Sequence, residues 1–404
     1  MISIQKQKVV VIGHGSTSRL GLIRSAGELG CEVIVIVITS FWPYTKKLKT
    51  VKPFDCYSKY VSHVHYCPFQ DEEGLIRLLL NRCRDAEQKV IILPSSDFAA
   101  AMVDRNRGRL SDDFFFPHID GFSSPVLQWM DKERQKDVAR SVGLDVPGSR
   151  VIALKGGAYQ IPAGINYPCF TKALVTLVGG KQCFNCCDNE RELRHALDAI
   201  GAVQDVRILV EDYKEIETEY AVCGFSDGKE VVIPGIIQIL TQTVSHFGIA
   251  RTGEIFPVSG YDQLVEQFKA FVRKIGFVGL FDIDFYYSGG TFYFAEMNLR
   301  FGGSGYAVTR AGVNLPAMLI RHFRGESYSG MQTQIEKTAT FVNERMCEDD
   351  WCAGDITSRE FHQILSSTDI RFVEDAADPE PEKMFRLTHQ ADRVKKPLKK
   401  LLRR

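Results

Sequence analysis

Residues 294–300 read FAEMNLR, and polar and apolar side chains alternate along them in the way that is typical of a β-strand. The polar members are Glu296, Asn298 and Arg300. The alternation predicts that Phe294 shares their face, while the residues between them face the other way. Strand signals at 278–287 and 291–298, separated by turn residues at 288–290, predict a β-hairpin.

The partner strand of this hairpin adds two carboxylates, Asp282 and Asp284. If the turn has three residues centred on Gly289, Asp282 lies opposite Glu296, and Asp284 lies diagonally from it on the same face. Because carboxylates this close repel one another, we expect a cation between them. Carboxylate and amide oxygens with no Cys or His nearby favour a hard ion, Mg²⁺ or Mn²⁺, and Mg²⁺ commonly carries substrate phosphates. Arg300 would supply a fixed fork for phosphate oxygens.

The same pattern also has a purely structural explanation. An exposed hairpin can carry charge on its solvated face, and Arg300 can pair with a carboxylate there. The next residues, 301–305, read FGGSG and lead into an apolar stretch at 306–320. A glycine-rich turn lets backbone N–H groups approach an anion closely, and this favours the metal and phosphate interpretation.

The EMNLR motif at 296–300, with Asp284 twelve residues before Glu296, resembles the metal-binding end of the ATP-grasp superfamily, to which biotin carboxylase and carbamoyl-phosphate synthase belong. The resemblance implies that Asp284, Glu296 and Asn298 hold two Mg²⁺ (or Mn²⁺) ions against the phosphates of ATP. It also implies that Arg300 supports the reacting phosphoryl group.

Upstream segments resemble the rest of the family's nucleotide site. The residues that the resemblance assigns to ATP are Lys132, Lys172, Glu211, Asp212, Tyr213 and Glu219. The lysine ammonium groups suit phosphates, the hinge backbone at 209–213 suits the adenine edge, and the carboxylate of Glu219 suits the ribose hydroxyls. Each residue also has an ordinary alternative, such as an edge-strand lysine that snorkels or a solvated surface charge. Their shared order along the chain favours the nucleotide site.

The N-terminal third alternates strands and helices, which predicts an open parallel sheet with right-handed crossovers. The fold class is therefore α/β and α+β multidomain, with an N-terminal Rossmann-like sheet followed by an ATP-grasp fold. The predicted divisions are 1–118 for the Rossmann-like domain, 119–328 for the ATP-grasp domain with a small lid at about 150–212, and 329–404 for a C-terminal region with a basic tail. The main strand and helix predictions are strands at 9–12, 33–38, 90–94, 169–176, 207–210, 220–225 and 231–240, and helices at 20–29, 73–85, 131–143 and 261–275.

Composition limits the classes of partner. The chain has 404 residues, and its 50 Lys and Arg balance its 50 Asp and Glu. This balance removes the simplest electrostatic argument for nucleic acid. The apolar runs are shorter than a signal-peptide core or a membrane span, so we predict a cytoplasmic protein with reduced thiols and no membrane partner. Cys183, Cys186 and Cys187 are predicted to be free thiols rather than zinc ligands, since no second Cys/His pair follows at finger spacing.

Taken with the resemblance, these features predict an ATP-dependent carboxylate–amine ligase that works through an acyl phosphate and forms an amide or peptide-like bond. Segments at 21–25, 58–62 and 94–97 resemble the branch that contains D-aspartate ligase. The partners would be a small carboxylate and a small amine, and a homodimer is left open. The candidate carboxylate contacts are Arg251, Ser304 and Tyr306.

Three rival functions remain at this point, namely an ATP-grasp kinase, a non-catalytic nucleotide-binding protein and an NAD-dependent oxidoreductase. The last would rest on Gly13 and Gly15, which lack a third glycine at Ser18. A further departure from the family lies in the phosphate-covering loop at 178–183, which has only two glycines. Lys181 would have to replace the missing backbone contacts there.

Overall fold

A computed structural model describes residues 6–39, 52–119, 126–175, 177, 183–244 and 248–388. Most of the phosphate-covering loop, at 178–182, and the basic tail at 393–404 lie outside these described residues. Within them, the strands form three sheets of five, four and nine strands. No helix in these ranges combines the length and the apolar composition that a membrane span requires.

The N-terminal sheet is parallel throughout, in the order β3-β2-β1-β4-β5. Its elements are β1 (Lys8–Gly13), α1 (Thr17–Glu28), β2 (Glu32–Thr39), β3 (Val61–Pro68), α2 (Glu72–Leu78), β4 (Val90–Pro94), α3 (Asp97–Arg105), α4 (Arg107–Leu110) and β5 (Phe114–Phe115). The central strands are covered on both faces, which explains why their sequences are continuously apolar. The Rossmann-like sheet is therefore confirmed. The predicted helix at 73–85 is present as α2, which continues into a π-helical turn at Leu79–Cys83.

A short strand and a charged helix follow, and then a small antiparallel sheet within the predicted lid. These elements are β6 (His118–Ile119), α5 (Lys132–Ser141), β7 (Ser149–Leu154), β8 (Cys169–Ala173), β9 (Asn185–Cys187), α6 (Glu190–Gly201) and β10 (Val206–Asp212). The small sheet has the order β7-β10-β8-β9, and the apolar face of α6, which includes Leu193 and Leu197, shares its core. The eleven cysteines, all of which lie in described residues, are unbridged.

The largest sheet has the order β16-β15-β11-β13-β14-β17-β18, with β6 beside β15 and β12 beside β11. Its elements and their covering helices are β11 (Thr218–Asp227), β12 (Val231–Val232), β13 (Ile236–Gln242), β14 (Ala250–Phe256), α7 (Asp262–Ile275), β15 (Phe277–Ser288), β16 (Thr291–Asn298), α8 (Gly305–Arg310), α9 (Leu315–Phe323), β17 (Ala339–Val342), α10 (Glu344–Ala353), α11 (Ser358–Ser367) and β18 (Ile370–Arg371). The single strand predicted at 231–240 is wrong, because Pro234 and Gly235 separate β12 from β13.

The C-terminal residues are integrated into the rest of the fold. Strand β17 pairs with β14, so the division predicted at 328 runs between strands of one sheet. The buried Arg24 of α1 forms a salt bridge with Asp378, whose Oδ2 lies 3.0 Å from Nε. Arg24 also donates hydrogen bonds to the carbonyl oxygens of Phe372 and Val373 at 3.1 and 2.9 Å. These contacts fix residues 372–378 against the N-terminal sheet.

Candidate active site

The hairpin of β15 and β16 has a different register from the predicted one. Ser288 pairs with Thr291, so the turn consists only of Gly289 and Gly290, both with positive φ. Together with a bulge at Ala295, this shorter turn places Asp284 opposite Glu296, whereas the three-residue turn had placed Asp282 there. Asp282 instead lies opposite Asn298, the last residue of β16. Asp282 and Asp284 both remain on the predicted face of the hairpin.

A β-bulge at Ala295 changes the face of the strand on which Phe294 lies. The register shifts between the pair Asp284–Glu296 and the pair Phe285–Phe294. This shift leaves Ala295 without a partner on β15. Phe294 consequently turns away from the polar face, and its ring packs 4.9 Å from that of Phe271 in the core. Beyond the bulge, Glu296 and Asn298 remain on the polar face, as alternation predicts for that part of the strand.

The carboxylates on this face are poorly compensated. Burial raises the pKa of Asp282 to about 6. Burial also raises the pKa of Asp284 well above its ordinary value, and the neighbouring carboxylates of Asp282 and Glu296 add to that rise. Although burial pushes the pKa of Glu296 upward as well, the Lys132 and Lys172 ammonium groups hold it below its ordinary value. The face has too little positive charge beside Asp282 and Asp284, as expected for residues that take a cation.

In the described residues, no group of three or more His, Cys, Asp or Glu side chains is arranged to hold a metal ion as it stands. The predicted ligands bond to other groups of the chain. Glu296 Oε2 lies 2.7 Å from Lys132 Nζ, and Asn298 Nδ2 donates to Asp284 Oδ2 at 3.1 Å. The donor types, two carboxylates and an amide oxygen, nevertheless fit a hard divalent ion.

The glycine-rich turn lies directly on one of these carboxylates. A Cβ atom at Gly302 would come within 2.3 Å of Asp282 Oδ2, so only glycine fits there. The thiol of Cys223, on β11, donates to the other oxygen of Asp282 at 3.5 Å. The backbone of this turn therefore packs closely against a carboxylate of the chain itself, and its approach to a ligand anion stays a prediction.

Helix α5 holds Lys132 beside Glu296, because the helix is fixed at two points. Asp131 caps the helix, accepting hydrogen bonds from the N–H groups of Glu133 and Arg134 at 3.0 and 3.1 Å. Gln135 bonds to β16 as a neighbouring strand would, donating to Met297 O and accepting from Met297 N, both at 2.8 Å. Sequence reasoning missed Gln135, because its partners lie 162 positions away.

A second cluster joins α5 to the small sheet. The carboxylate of Glu211 bridges two lysines, with Lys172 Nζ 2.9 Å from Oε2 and Lys136 Nζ in contact with Oε1. Although burial favours its neutral form, the two ammonium groups hold the pKa of Glu211 below its ordinary value. Burial lowers the pKa of Lys136 to about 8. Lys136 was missed, and its spacing of four from Lys132 on one helix was the available signal.

The remaining residues assigned to the nucleotide lie around this cluster. Asp212 ends β10, and its Oδ1 accepts from Asn166 Nδ2 at 3.1 Å. The backbone of Tyr213 donates to Pro168 O at 3.1 Å, while its side chain is exposed. Glu219 lies opposite Tyr286 of β15, and because Asp284 is two residues from Tyr286 on the same strand, Glu219 and Asp284 share one face of the large sheet.

The comparisons with known proteins begin with sequence. No family model matches the chain. It is 27% identical over 202 residues to the carbamoyl phosphate synthase large chain of Gemmatimonas aurantiaca, which covers 49% of this chain and 18% of that one. It is 25% identical over 174 residues to the C-terminal section of that large chain from Aquifex aeolicus, covering 42% and 32%. The chain therefore spans well under half the length of these curated relatives.

Solved structures match over most of the chain. The N5-carboxyaminoimidazole synthetase of Staphylococcus aureus, complexed with ADP, has a TM-score of 0.64 at 16% identity and covers 90% of this chain and 88% of its own. The biotin carboxylase domain of Hydrogenobacter thermophilus 2-oxoglutarate carboxylase, in complex with MgADP, has a TM-score of 0.64 at 20% identity and coverages of 83% and 74%. An L-amino acid ligase from Bacillus licheniformis has a TM-score of 0.58 at 16% identity and coverages of 83% and 79%.

The chain has the ATP-grasp fold. Its sequence relatives and structural neighbours together indicate the ATP-grasp ligase superfamily, as the EMNLR motif had predicted. Within this fold, Lys132 contacts Glu296 on the polar face of β15 and β16, and Lys172 of the small sheet, which is β7 to β10, helps to lower the pKa of the same carboxylate.

Arg300 pairs with a carboxylate, as the structural alternative allowed, and that carboxylate belongs to the segment 94–97 of the N-terminal domain. Its guanidinium grips Asp97 at the start of α3, with Nε 2.9 Å from Oδ1 and Nη2 3.3 Å from Oδ2. A small pocket has Asp97, Lys132, Glu296 and Asn298 in its lining. The N-terminal sheet therefore contributes a carboxylate to the candidate site of the ATP-grasp domain.

The three candidate substrate contacts lie in different surroundings. Arg251 pairs with the buried Asp350, whose Oδ2 lies 2.9 Å from Nη1. Ser304 is nearly buried at the start of α8. Tyr306 is 1% exposed, and its hydroxyl faces Asp375 at 3.5 Å, so it offers no accessible surface to a substrate. The expected role of Tyr306 is therefore corrected to one of core packing between the N-terminal sheet and the C-terminal residues.

The glycines of the N-terminal loop accept hydrogen bonds from arginines of α1 and of the C-terminal region. The carbonyl oxygens of Gly13 and Gly15 accept from Arg19 and Arg345, each at 2.6 Å. Asp55 accepts from the backbone N–H of Ser16 at 3.4 Å and pairs with Arg19. A carboxylate of the chain thus accepts from the N–H of Ser16 at the start of α1, where an anion would otherwise be favoured, and this weakens the nicotinamide interpretation.

Proposed function

We propose that the protein is an ATP-dependent carboxylate–amine ligase. The observation that carries the proposal is the juxtaposition of Asp284, Glu296 and Asn298 with Lys132 on one side of a cleft. Lys172, on the small sheet, lies near enough to help lower the pKa of Glu296. The structural neighbours support it, since an L-amino acid ligase and an ADP complex of a synthetase share this fold.

Asp284, Glu296 and Asn298 would hold Mg²⁺ or Mn²⁺, with two ions proposed. Ions bound there would neutralise phosphate charge and orient the γ-phosphoryl group. Glu296 would then exchange its contact with Lys132 for an ion. Lys132 would become available for a phosphate oxygen, and this exchange accounts for a lysine that lies 2.7 Å from a predicted ligand.

The reaction would run in two steps. A substrate carboxylate oxygen attacks the γ-phosphorus of ATP, which forms an acyl phosphate and releases ADP. An amine then attacks the acyl carbon, and phosphate leaves as the C–N bond forms. Arg300, fixed by Asp97, and the two lysines Lys132 and Lys172 would stabilise the charge that develops on the transferred group.

The experiment that tests this function is phosphate release measured across a matrix of carboxylic acids and amines, with ATP and Mg²⁺ present. Release that requires both substrates, with a product mass equal to their condensation, is the expected result. ADP formed with a phosphorylated acceptor and no need for an amine would indicate a kinase. Binding of ATP without turnover in every mixture would indicate a nucleotide-binding protein that is not an enzyme.

Arg300→Ala is expected to lower kcat by about 100-fold while the affinity for ATP changes by less than about threefold. The reason is that the guanidinium would act on charge that develops only as the phosphoryl group transfers. Steady-state rates over a range of ATP concentrations separate the two quantities. Arg140→Ala, which removes a surface arginine paired with Asp137, serves as the control. Equal losses in kcat and in ATP affinity would assign Arg300 to ground-state binding instead.

Gln135→Ala is expected to lower turnover by about 10- to 100-fold, because Lys132 loses the anchor that sets its distance from Glu296. The variant should also lose about 1–3 kcal/mol of unfolding free energy, since the buried Met297 N–H and carbonyl lose their partner. Rates and urea denaturation measure the two effects. Gln267→Ala removes a comparable bond, to Gly143 O at 2.6 Å, away from the site. Lost stability with unchanged turnover would leave Gln135 with a structural role only.

A further inference from the structure

One buried cation has no role in the proposed reaction. Lys136 is fully buried on α5, and its Nζ contacts Glu211 Oε1 and lies 3.4 Å from Pro147 O. Glu211 is itself nearly buried, and its second oxygen already lies 2.9 Å from Lys172 Nζ. The single carboxylate of Glu211 is therefore paired with two ammonium groups, although one ammonium group would neutralise its charge.

The two lysines differ in their freedom to move. Lys136 belongs to a helix that is fixed by the Asp131 cap and by the bonds of Gln135 to β16. Lys172 lies on β8 of the small sheet, and its side chain keeps 12% exposure. Only Lys172 can therefore turn from Glu211 toward a ligand in the cleft, while Lys136 stays beside the carboxylate.

The charges of the three residues sum to one positive charge in a buried site. Lys172 also helps to lower the pKa of Glu296, but that carboxylate already pairs with Lys132 at 2.7 Å, so the remaining positive charge favours an anion at the exposed end of Lys172. If Lys136 were absent, Lys172 could bind that anion only by leaving Glu211 as an unpaired buried carboxylate. With Lys136 present, Glu211 remains paired after Lys172 has moved.

We propose that Lys136 is a positioning residue that keeps Glu211 neutralised, so that Lys172 can leave it for a phosphate group of the nucleotide. The inference rests on the proposed function, since it takes ATP as the anion. Lys136 does not touch the nucleotide in this arrangement and acts through Glu211 alone. The alternative is that Lys136 only packs the interface between α5 and the small sheet.

The test is a double-mutant cycle on MgATP binding, measured by calorimetry on the full chain. Lys136→Met is expected to weaken MgATP binding by at least about tenfold, because Lys172 is then held by Glu211. The double variant Lys136→Met with Glu211→Gln should bind MgATP more tightly than Lys136→Met alone, since no carboxylate then holds Lys172 and the hinge backbone at 209–213 is unchanged. Lys269→Met, which removes a lysine paired with Glu266 on α7, is the matched control and should bind as the original chain does.

Thermal unfolding of each variant checks that it is folded. If Lys136→Met does not fold, Lys136→Gln, which keeps a hydrogen-bond donor for Glu211, replaces it in the same cycle. A folded single variant that binds MgATP normally would overturn the inference, and so would a double variant as weak as the single one. In either case the original chain still binds MgATP, whereas absence of that binding would overturn the proposed function first.

Discussion

Glu296→Ala is expected to reduce ATP-dependent turnover by roughly 1,000-fold. The substitution removes one proposed ligand from the divalent ions, and it also leaves Lys132, whose side chain is 7% exposed, without its carboxylate. Both changes act on the charge around the transferred phosphoryl group. Initial rates of phosphate release over a range of Mg²⁺ concentrations measure the effect, and raised Mg²⁺ should restore only part of the rate.

The matched control for this prediction is Glu266→Ala. Glu266 is a glutamate on the surface of α7 whose partner is Lys269, so its removal changes the net charge equally but leaves the cleft intact. Turnover of the control should remain near that of the original chain. Full ATP-dependent activity in Glu296→Ala would contradict the metal assignment and, with it, the placement of the phosphates beside β16.

Asp378→Ala is expected to lower the free energy of unfolding by about 3–5 kcal/mol. The carboxylate is buried, pairs with Arg24 at 3.0 Å and accepts from the backbone N–H of Lys59 at 2.8 Å. Its removal leaves the fully buried guanidinium of Arg24 without its closest negative charge, which is more costly than the loss of a surface pair. Urea denaturation followed by far-UV circular dichroism gives the change directly.

Asp137→Ala provides the comparison, because Asp137 forms an exposed pair with Arg140 within one helix. Exposed pairs of this kind contribute little, so its unfolding curve should nearly coincide with that of the original chain. If Asp378→Ala unfolded at the same urea concentration as the control, residues 372–378 would not belong to the cooperative core. The expected result would instead establish that the C-terminal residues stabilise the N-terminal sheet.

Local patterns were sufficient for most of the elements that carry the site. The helix that begins at Lys132 and the strands of the β15–β16 hairpin lie close to the ranges predicted for them, 131–143, 278–287 and 291–298. The hairpin register was wrong, because the turn at Gly289 and Gly290 is one residue shorter than expected and Ala295 adds a bulge. Alternation by itself reports neither feature, since each shifts the pairing without changing the sequence signal that marks a strand.

The sequence by itself determined the kinds of chemical group that are present and the face on which short-range periodicity places them, as with Glu296 and Asn298. The tertiary structure alone decided the partners. Asp97 meets Arg300 across 203 positions, and Lys136 shares Glu211 with Lys172 through three different elements. The physical reason is that helix and strand preferences arise between neighbours along the chain. Ion pairs between distant elements form only after packing has brought those elements together and excluded the water that would otherwise solvate each charge.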